Sequence, residues 1–283
     1  MIHGSCLCGA VQYAIDHDLT SMSHCHCSMC RKSQGTNFAT FAGAPASKVS
    51  WHSGVHLIRH YRSAVHTERC FCEQCGSTVY VRHLDGDSLY FPVGNLTGDF
   101  GRRPDRHIFV DSKAPWYAIT DDLAQHSLYS TDDGPPAVKQ AQRCAQTEGV
   151  HGGSCLCGKV AFEYTGDPVR MWNCHCSRCR LARGTAHATN LFVPAAAFRW
   201  VRGEELVYIY KVPEADRFAQ AFCSECGSVM ARHNPQSPFT VIPVGTMDDD
   251  PGLRPMGHIF VDSKSTWFPI TDNIPQHSEG PPA

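Results

Sequence analysis

The sequence predicts a mainly β protein made of two tandem copies of one small antiparallel unit. Three observations carry that prediction. Gly4-Ser5-Cys6-Leu7-Cys8-Gly9 returns as Gly153-Ser154-Cys155-Leu156-Cys157-Gly158, 149 residues on, and such self-similarity decides architecture before any local pattern does. Val11, Tyr13 and Ile15 alternate with Gln12 and Ala14, and Val160, Phe162 and Tyr164 repeat the pattern, which is the period of a strand. Short apolar runs are then separated by Gly, Pro, Asp and His clusters, with little that reads as helix.

In chain order, the first strand signal is followed by His24-Cys25-His26-Cys27-Ser28-Met29-Cys30-Arg31-Lys32, with a short helical turn expected after Cys27 and through Arg31. Further strands are expected at Asn37–Ala42, Leu57–Tyr61, Thr78–Val81 and Leu89–Val93. The second copy answers with Asn173-Cys174-His175-Cys176-Ser177-Arg178-Cys179-Arg180-Leu181 and keeps Trp200 for Trp51. From Phe71-Cys72-Glu73-Gln74-Cys75-Gly76-Ser77 and Phe222-Cys223-Ser224-Glu225-Cys226-Gly227-Ser228 onward the offset is 151, so two residues are inserted near Val212 to Asp216. The match runs through His107 to Lys113 and His258 to Lys264, and ends at Ser127 and Ser278. Domains are therefore expected at 1–127 and 150–283, joined by a surface linker, 128–149, with a short helix near Ala137–Gln146. Cys144 in that linker has no counterpart and reads as a bystander thiol. Trp116 and Trp267 are each expected in the core of their own copy.

A length of 283 residues suits two domains, and 42% hydrophobic with 18% charged residues describes a globular chain. A net charge of −2 gives no pull toward nucleic acid or acidic membranes. No apolar run approaches the length of a membrane span. The N-terminus enters the first motif at once, so no signal peptide is expected and a cytoplasmic location follows. Sixteen cysteines in a reducing compartment, spaced as C-x-C and C-x-x-C, point to metal rather than disulfides.

The cysteines sort into two kinds of site. Cys6, Cys8, Cys72 and Cys75 make a closed four-thiol shell, repeated as Cys155, Cys157, Cys223 and Cys226, and such a shell is the structural type of zinc site. The glycine after each C-x-x-C permits the turn that aims backbone N–H groups at the thiolates. Cys25, Cys27 and Cys30, and Cys174, Cys176 and Cys179, supply three ligands each and leave a fourth position for water or substrate, as catalytic zinc requires. Four zinc ions per chain are expected. His26 and His175, between two ligands, should point away. Cys70 faces Ala221 in the repeat and is no shared ligand. His107/His258 and Asp111/Asp262 stay open as residues that close the site. Three thiolates leave zinc a weak Lewis acid for water but a good partner for a substrate thiolate. Arg31 and Arg180 either offset charge, grip a carboxylate, or are solvated surface charges. His26, His107, His175 and His258 are candidates for proton transfer, or are structural.

Gly-Ser-Cys-x-Cys-Gly, Cys-His-Cys-x-x-Cys-Arg, Phe-Cys-x-x-Cys-Gly-Ser and His-Ile-Phe-Val-Asp-Ser-Lys-x-x-Trp, each present twice and in this order, resemble the glutathione-dependent formaldehyde-activating enzyme family, which also includes centromere protein V. The resemblance implies two Mss4-like antiparallel β-sheet domains, each stabilised by zinc on the four-thiol set, with a second zinc on the three-thiol set where glutathione engages. It implies a zinc-dependent carbon–sulfur lyase with glutathione as substrate or co-substrate, acting on S-hydroxymethylglutathione or another glutathione conjugate. Arg31, Lys32, Arg180, His107 and His258 are the substrate-binding candidates. The first copy keeps Arg31-Lys32-Ser33-Gln34-Gly35 and Phe38, close to the family pattern; the second has Arg180-Leu181-Ala182-Arg183-Gly184, with His187 in place of Phe38. The rival reading is a non-catalytic, zinc-stabilised protein-interaction module, which duplication also suits. The electrophile on sulfur, the oligomeric state and whether both halves turn over stay open.

Overall fold

The computed structural model describes residues 1–98, 100–129, 149–216 and 218–281. The expected linker helix and Cys144 lie outside the described residues. The first copy contains β1 (Ile2–Ser5), β2 (Gln12–Ile15), β3 (Ser21–Cys25), α1 (Ser28–Gln34), β4 (Ala39–Pro45), β5 (Val49–Ser53), β6 (Ile58–Ala64) and β7 (Thr67–Cys72). It continues with β8 (Thr78–His83), β9 (Ser88–Pro92), β10 (Leu96–Thr97), β11 (Arg106–Ile108) and β12 (Ala124–Gln125). The second copy contains β13 (Val150–Ser154), β14 (Ala161–Thr165), β15 (Arg170–Cys174), α2 (Ser177–Arg183), β16 (Ala188–Pro194) and β17 (Phe198–Arg202). It ends with β18 (Val207–Lys211), β19 (Ala219–Cys223), β20 (Phe239–Pro243) and β21 (His258–Ile259).

The protein is mainly β and its pairings are mostly antiparallel. In the first copy a four-stranded sheet runs β10-β1-β2-β5 and a long sheet runs β12-β11-β3-β4-β9-β8-β7-β6. β11 pairs parallel with β3, setting His107 against His24 and Ile108 against Cys25. β21 does the same for β15, setting His258 against Asn173 and Ile259 against Cys174. The His-Ile-Phe segment of each copy is thereby laid beside the strand that delivers the three thiols. The second copy reproduces the layout with β13-β14-β17, β20-β16-β15-β21 and β18-β19. The two inserted residues fall between β18 and β19, the counterparts of β6 and β7.

Each helix is longer than the expected turn and is closed at both ends by its own sequence. The Cys27 thiol accepts from the Cys30 N–H at the N-cap, and Gly35 at φ +62° closes α1 by donating to the Arg31 carbonyl. Cys176, Cys179, Gly184 and Arg180 repeat this in α2. A left-handed C-cap favours glycine because it has no Cβ.

The copies are not independent lobes. Ala114 and Trp116 pack in the core of the second copy, beside Phe162, Leu191 and Met230. Trp267 and Phe268 pack in the core of the first, beside Tyr13, Phe38 and Phe91. Each tryptophan was expected in its own copy; instead the arm after Asp-Ser-Lys crosses over and fills the other. Lys113 Nζ donates to the Tyr117 carbonyl at 2.7 Å and Lys264 Nζ to the Phe268 carbonyl at 3.0 Å, fastening the turn that starts each arm. The Trp116 Nε1–H donates to Asn37 Oδ1 (3.0 Å), and Asn37 Nδ2 donates to Thr189 Oγ1 (2.8 Å), so the seam is hydrogen-bonded through its buried centre. α1 rests on the short turn Val244–Thr246, where a Cβ on Gly245 would lie 2.4 Å from the Thr36 backbone. Gly94 makes the reciprocal approach to Thr185, at 2.3 Å. Among the described residues no helix is long and apolar enough to cross a membrane.

Candidate metal centres and the histidine core

Four clusters of cysteine thiols form, and each is the group that the spacing predicts. Cys6, Cys8, Cys72 and Cys75 have all their sulfurs within 4.8 Å of one another, as do Cys155, Cys157, Cys223 and Cys226. Cys6 and Cys8 sulfurs lie 3.3 Å apart and Cys8 and Cys72 3.8 Å apart. A disulfide needs about 2.0 Å; four thiolates at about 2.3 Å around one zinc sit roughly 3.8 Å from each other. The donor set and spacing fit zinc. Val11 and Val160 N–H groups donate to Cys6 and Cys155, and the Ser77 and Ser228 hydroxyls hold Cys75 and Cys226 while accepting from Leu7 and Leu156 N–H. Gly76 and Gly227 take φ +73° and +70°, as the turn requires. Tyr210 of the second copy packs on the first copy's cluster and Tyr61 of the first on the second's.

Cys25, Cys27 and Cys30 form one trio and Cys174, Cys176 and Cys179 the other; among the described residues no fourth Cys, His, Asp or Glu joins either. Asp111 and Asp262 are exposed, and His107 and His258 face another way. Three soft donors with no fourth among the described residues fit a zinc site with an open vertex.

The surroundings of the trios differ. The first is buried throughout, at 6%, 4% and 7% exposure, and packs against Phe109, Leu156 of the other copy, and Tyr129. Tyr129 stands edge-on to Phe109, ring centres 4.8 Å apart, where the second copy has only Gly280. In the second trio Cys176 is half-buried, with Trp172, Phe192, Phe218 and Phe260 around the group. A buried guanidinium attends the first: Arg69 donates to Cys30 Sγ at 3.4 Å. Cys25, Cys27 and this arginine hold Cys30 well below the ordinary thiol range against its burial. In the second trio hydrogen bonds from Cys174 and Cys179 pull Cys176 down to about 3. Among the described residues, Phe109 and Phe260 beside the trios are the non-glycine residues with positive φ, 59° and 57°. An aromatic residue held there is strained, and the strain recurs at the same place in both copies.

The predicted polar residues sit elsewhere. Arg31 Nε donates to the His26 carbonyl and Nη2 to the Ser112 carbonyl, with the guanidinium over Trp116. Arg180 bonds the His175 carbonyl and Ser265 Oγ. Lys32, 4% exposed, donates to Ser154 and Asp248 of the second copy. These side chains fasten the fold around the trios. His26 and His175 turn away from the thiols, as expected, and enter two parallel relays. Asp121 accepts from His107 Nε2 (2.9 Å), and His107 Nδ1 lies 2.8 Å from His26 Nε2. Asp272, His258 and His175 repeat this at 3.0 and 2.7 Å. The carboxylate fixes the tautomers: His107 donates through Nε2, accepts at Nδ1 from His26 Nε2–H, and leaves the buried Nδ1 of His26 as a bare acceptor. Burial first, then His107, Lys113 and Arg31, pull His26 down to about 3; His175 falls to about 3 for the corresponding reasons. His187, packed on His175 and His258 of the second relay and 2% exposed, has both ring nitrogens without a hydrogen-bond partner. Sequence reasoning missed Arg69, Tyr129, Asp121 and Asp272. Asp121 and Asp272 keep the 151-residue offset of the His-Ile-Phe motif, and that signal was available.

The family model for the glutathione-dependent formaldehyde-activating enzyme matches residues 1–112 and 150–263. An uncharacterised lyase of Schizosaccharomyces pombe is 33% identical over 46% of this chain and 91% of its own. A putative glutathione-dependent formaldehyde-activating enzyme of Halomonas elongata is 28% identical over 42% of this chain and 81% of its own. A crystal structure of a Rhodobacter sphaeroides protein aligns over 34% of this chain and 89% of its own, with 24% identity and a TM-score of 0.30. Two segments with one motif order, each folding its thiols into the same pair of clusters, belong together with that match: the chain is a tandem member of the glutathione-dependent formaldehyde-activating enzyme family.

Proposed function

We propose that the protein is a zinc-dependent carbon–sulfur lyase acting on glutathione adducts of the S-hydroxymethyl type, and that turnover belongs to the second copy. The observation that carries this reading is a three-thiol cluster that no fourth ligand joins among the described residues, with one half-exposed member, Cys176. The family name and the lyase among the relatives support the reaction class. Cys174, Cys176 and Cys179 hold the metal, which when bound supplies a soft Lewis acid suited to stabilising a thiolate. In the cleaving direction the C–S electron pair goes to sulfur, while the hydroxyl oxygen loses its proton and becomes the carbonyl oxygen.

The chain's own contribution is a dry, positively biased wall. Trp172, Phe218 and Phe260 keep water from one side of the thiols, which strengthens every charge interaction within. Arg232 lies near enough to Cys179 to feel its charge and offsets the anionic cluster. The hydroxyl proton leaves to solvent at the rim of Cys176, because the His175–His258–Asp272 relay packs against His187 and Phe268 rather than the thiols. The first trio, closed by Tyr129 and Leu156, is a structural centre in this reading. Zinc K-edge absorption during glutathione titration tests the proposal: added sulfur scattering at part of the zinc is expected, and an unchanged edge overturns it.

A further inference from the structure

We propose that the first copy carries an additional metal site, formed by His60, Glu68 and Cys70 on the β6–β7 hairpin and absent from the second copy. His60 and Cys70 are direct cross-strand partners. Glu68 is two residues before Cys70 and so shares its face of the ladder. His60 Nδ1 lies 3.0 Å from Glu68 Oε2 and 3.4 Å from Cys70 Sγ, and the three donor atoms fall within 4.8 Å of one another. Bonds of about 2.0 Å to nitrogen or oxygen and about 2.3 Å to sulfur at a tetrahedral angle put ligand atoms roughly 3.3–3.5 Å apart. The side chains therefore need little movement to take an ion.

The donor set states the class of ion. One thiolate, one carboxylate and one neutral imidazole carry a charge of about −2, which a divalent cation neutralises. Mixed S/N/O donors select zinc or another late first-row metal over magnesium or calcium. Arg82 Nε and Nη2 hold the Glu68 carboxylate at 2.9 and 2.8 Å, orienting it as an outer partner orients a ligand. Cys70 forms the buried floor, at 0% exposure, while the His60 side chain is 45% exposed and provides the way in.

The second copy is the internal control. At the same register it pairs Ile209 with Ala221, and Ala219 stands in place of Glu68. All three donors are replaced by hydrocarbon together, though Cys72 and Cys223 beside them are both kept. The hairpin folds without these donors, so a purely architectural role does not explain the set.

The test uses the purified full-length metal-loaded chain and cobalt(II) as probe. One further equivalent of cobalt is expected to bind with a near-ultraviolet thiolate-to-cobalt band. His60→Ile with Cys70→Ala, the residues the second copy uses, should remove that equivalent and its band with circular dichroism unchanged. Glu68→Ala should keep the band and weaken binding by at least tenfold. An equal cobalt equivalent and band in the double variant, or no added equivalent in the wild type, overturns the proposal.

Discussion

Lys32 of the first copy and Asp248 of the second are paired inside the protein, with side chains only 5% and 2% exposed. Burial pulls the Lys32 ammonium down from its ordinary value while Asp248 pulls it up, and Lys32 Nζ also donates to two Ser154 oxygens and the Thr246 carbonyl. The pseudo-equivalent positions hold Leu181 and Thr97, so the lock exists on one side of the seam only. Lys32→Leu strands a buried carboxylate and should cost about 3–5 kcal/mol. Lys32→Leu with Asp248→Thr copies the other side and should recover most of that loss. Urea denaturation of the single and double variants checks both; equal losses contradict the assigned coupling.

Crossing of the arms makes a distinctive prediction for the tryptophans. Trp116 belongs to the first copy by sequence but lines the second copy's core, so Trp116→Ala should destabilise by about 3–5 kcal/mol. The damage should appear on the other side of the linker. Hydrogen exchange is expected to accelerate first in β14 and β16, and Trp267→Ala should accelerate β2 and β4 instead. Loss of protection confined to the copy that carries the mutation is the contrary result.

Much of this was written in the sequence because thiol spacing is geometry: C-x-C and C-x-x-C put sulfurs on adjacent turns wherever the chain goes. The repeat supplied the rest of the plan, including the inserted loop. β3, Ser21–Cys25, escaped because its Ser-Met-Ser-His-Cys reads polar, and what buries His24 is a pairing with β11 some 80 residues away. The exchange of Trp116 and Trp267 escaped for a different reason. A repeat states which residues correspond, and it is silent on which copy a crossing arm fills. Arg69 at Cys30 and Gln220 at its pseudo-equivalent position break the repeat, so comparing the copies could not single it out as a thiol partner.

His187 carries a pH prediction. It is buried with neither ring nitrogen bonded, and burial first, then His175, His258 and His24, hold it well below its ordinary value. In the unfolded chain it takes a proton near pH 6.5; folded, it does not until much lower pH. The unfolded state therefore binds the extra proton between those values, and stability falls as pH drops below about 6.5. His187→Phe, the first copy's residue at this position, removes one such group and two orphaned polar atoms. It should add about 1–2 kcal/mol at pH 7 and flatten the acid limb by up to ~1.4 kcal/mol per pH unit. Chemical denaturation at pH 7.5, 6 and 5 reads both; a variant with the same slope as wild type rules the assignment out.

Separating the closed clusters from the trios gives the last prediction. Cys75 Sγ sits 0% exposed among four thiols that pin β1's loop to the β7–β8 turn, and metal binding at such a shell is also folding energy. Cys75→Ser should release one zinc and lower the midpoint of unfolding for the first copy's strands. Cys176 is half-buried and caps α2 by accepting from the Cys179 N–H, a role that a serine hydroxyl can keep, so Cys176→Ser should leave the melting temperature within a few degrees of wild type. It should nevertheless abolish cleavage of S-hydroxymethylglutathione, followed by formaldehyde release. Cys27→Ser, in the trio that Tyr129 and Leu156 enclose, should retain that activity. The asymmetry is the sharp part: if Cys27→Ser is inactive and Cys176→Ser is active, turnover belongs to the first copy. If neither changes the rate, the trios are not where the carbon–sulfur bond is broken.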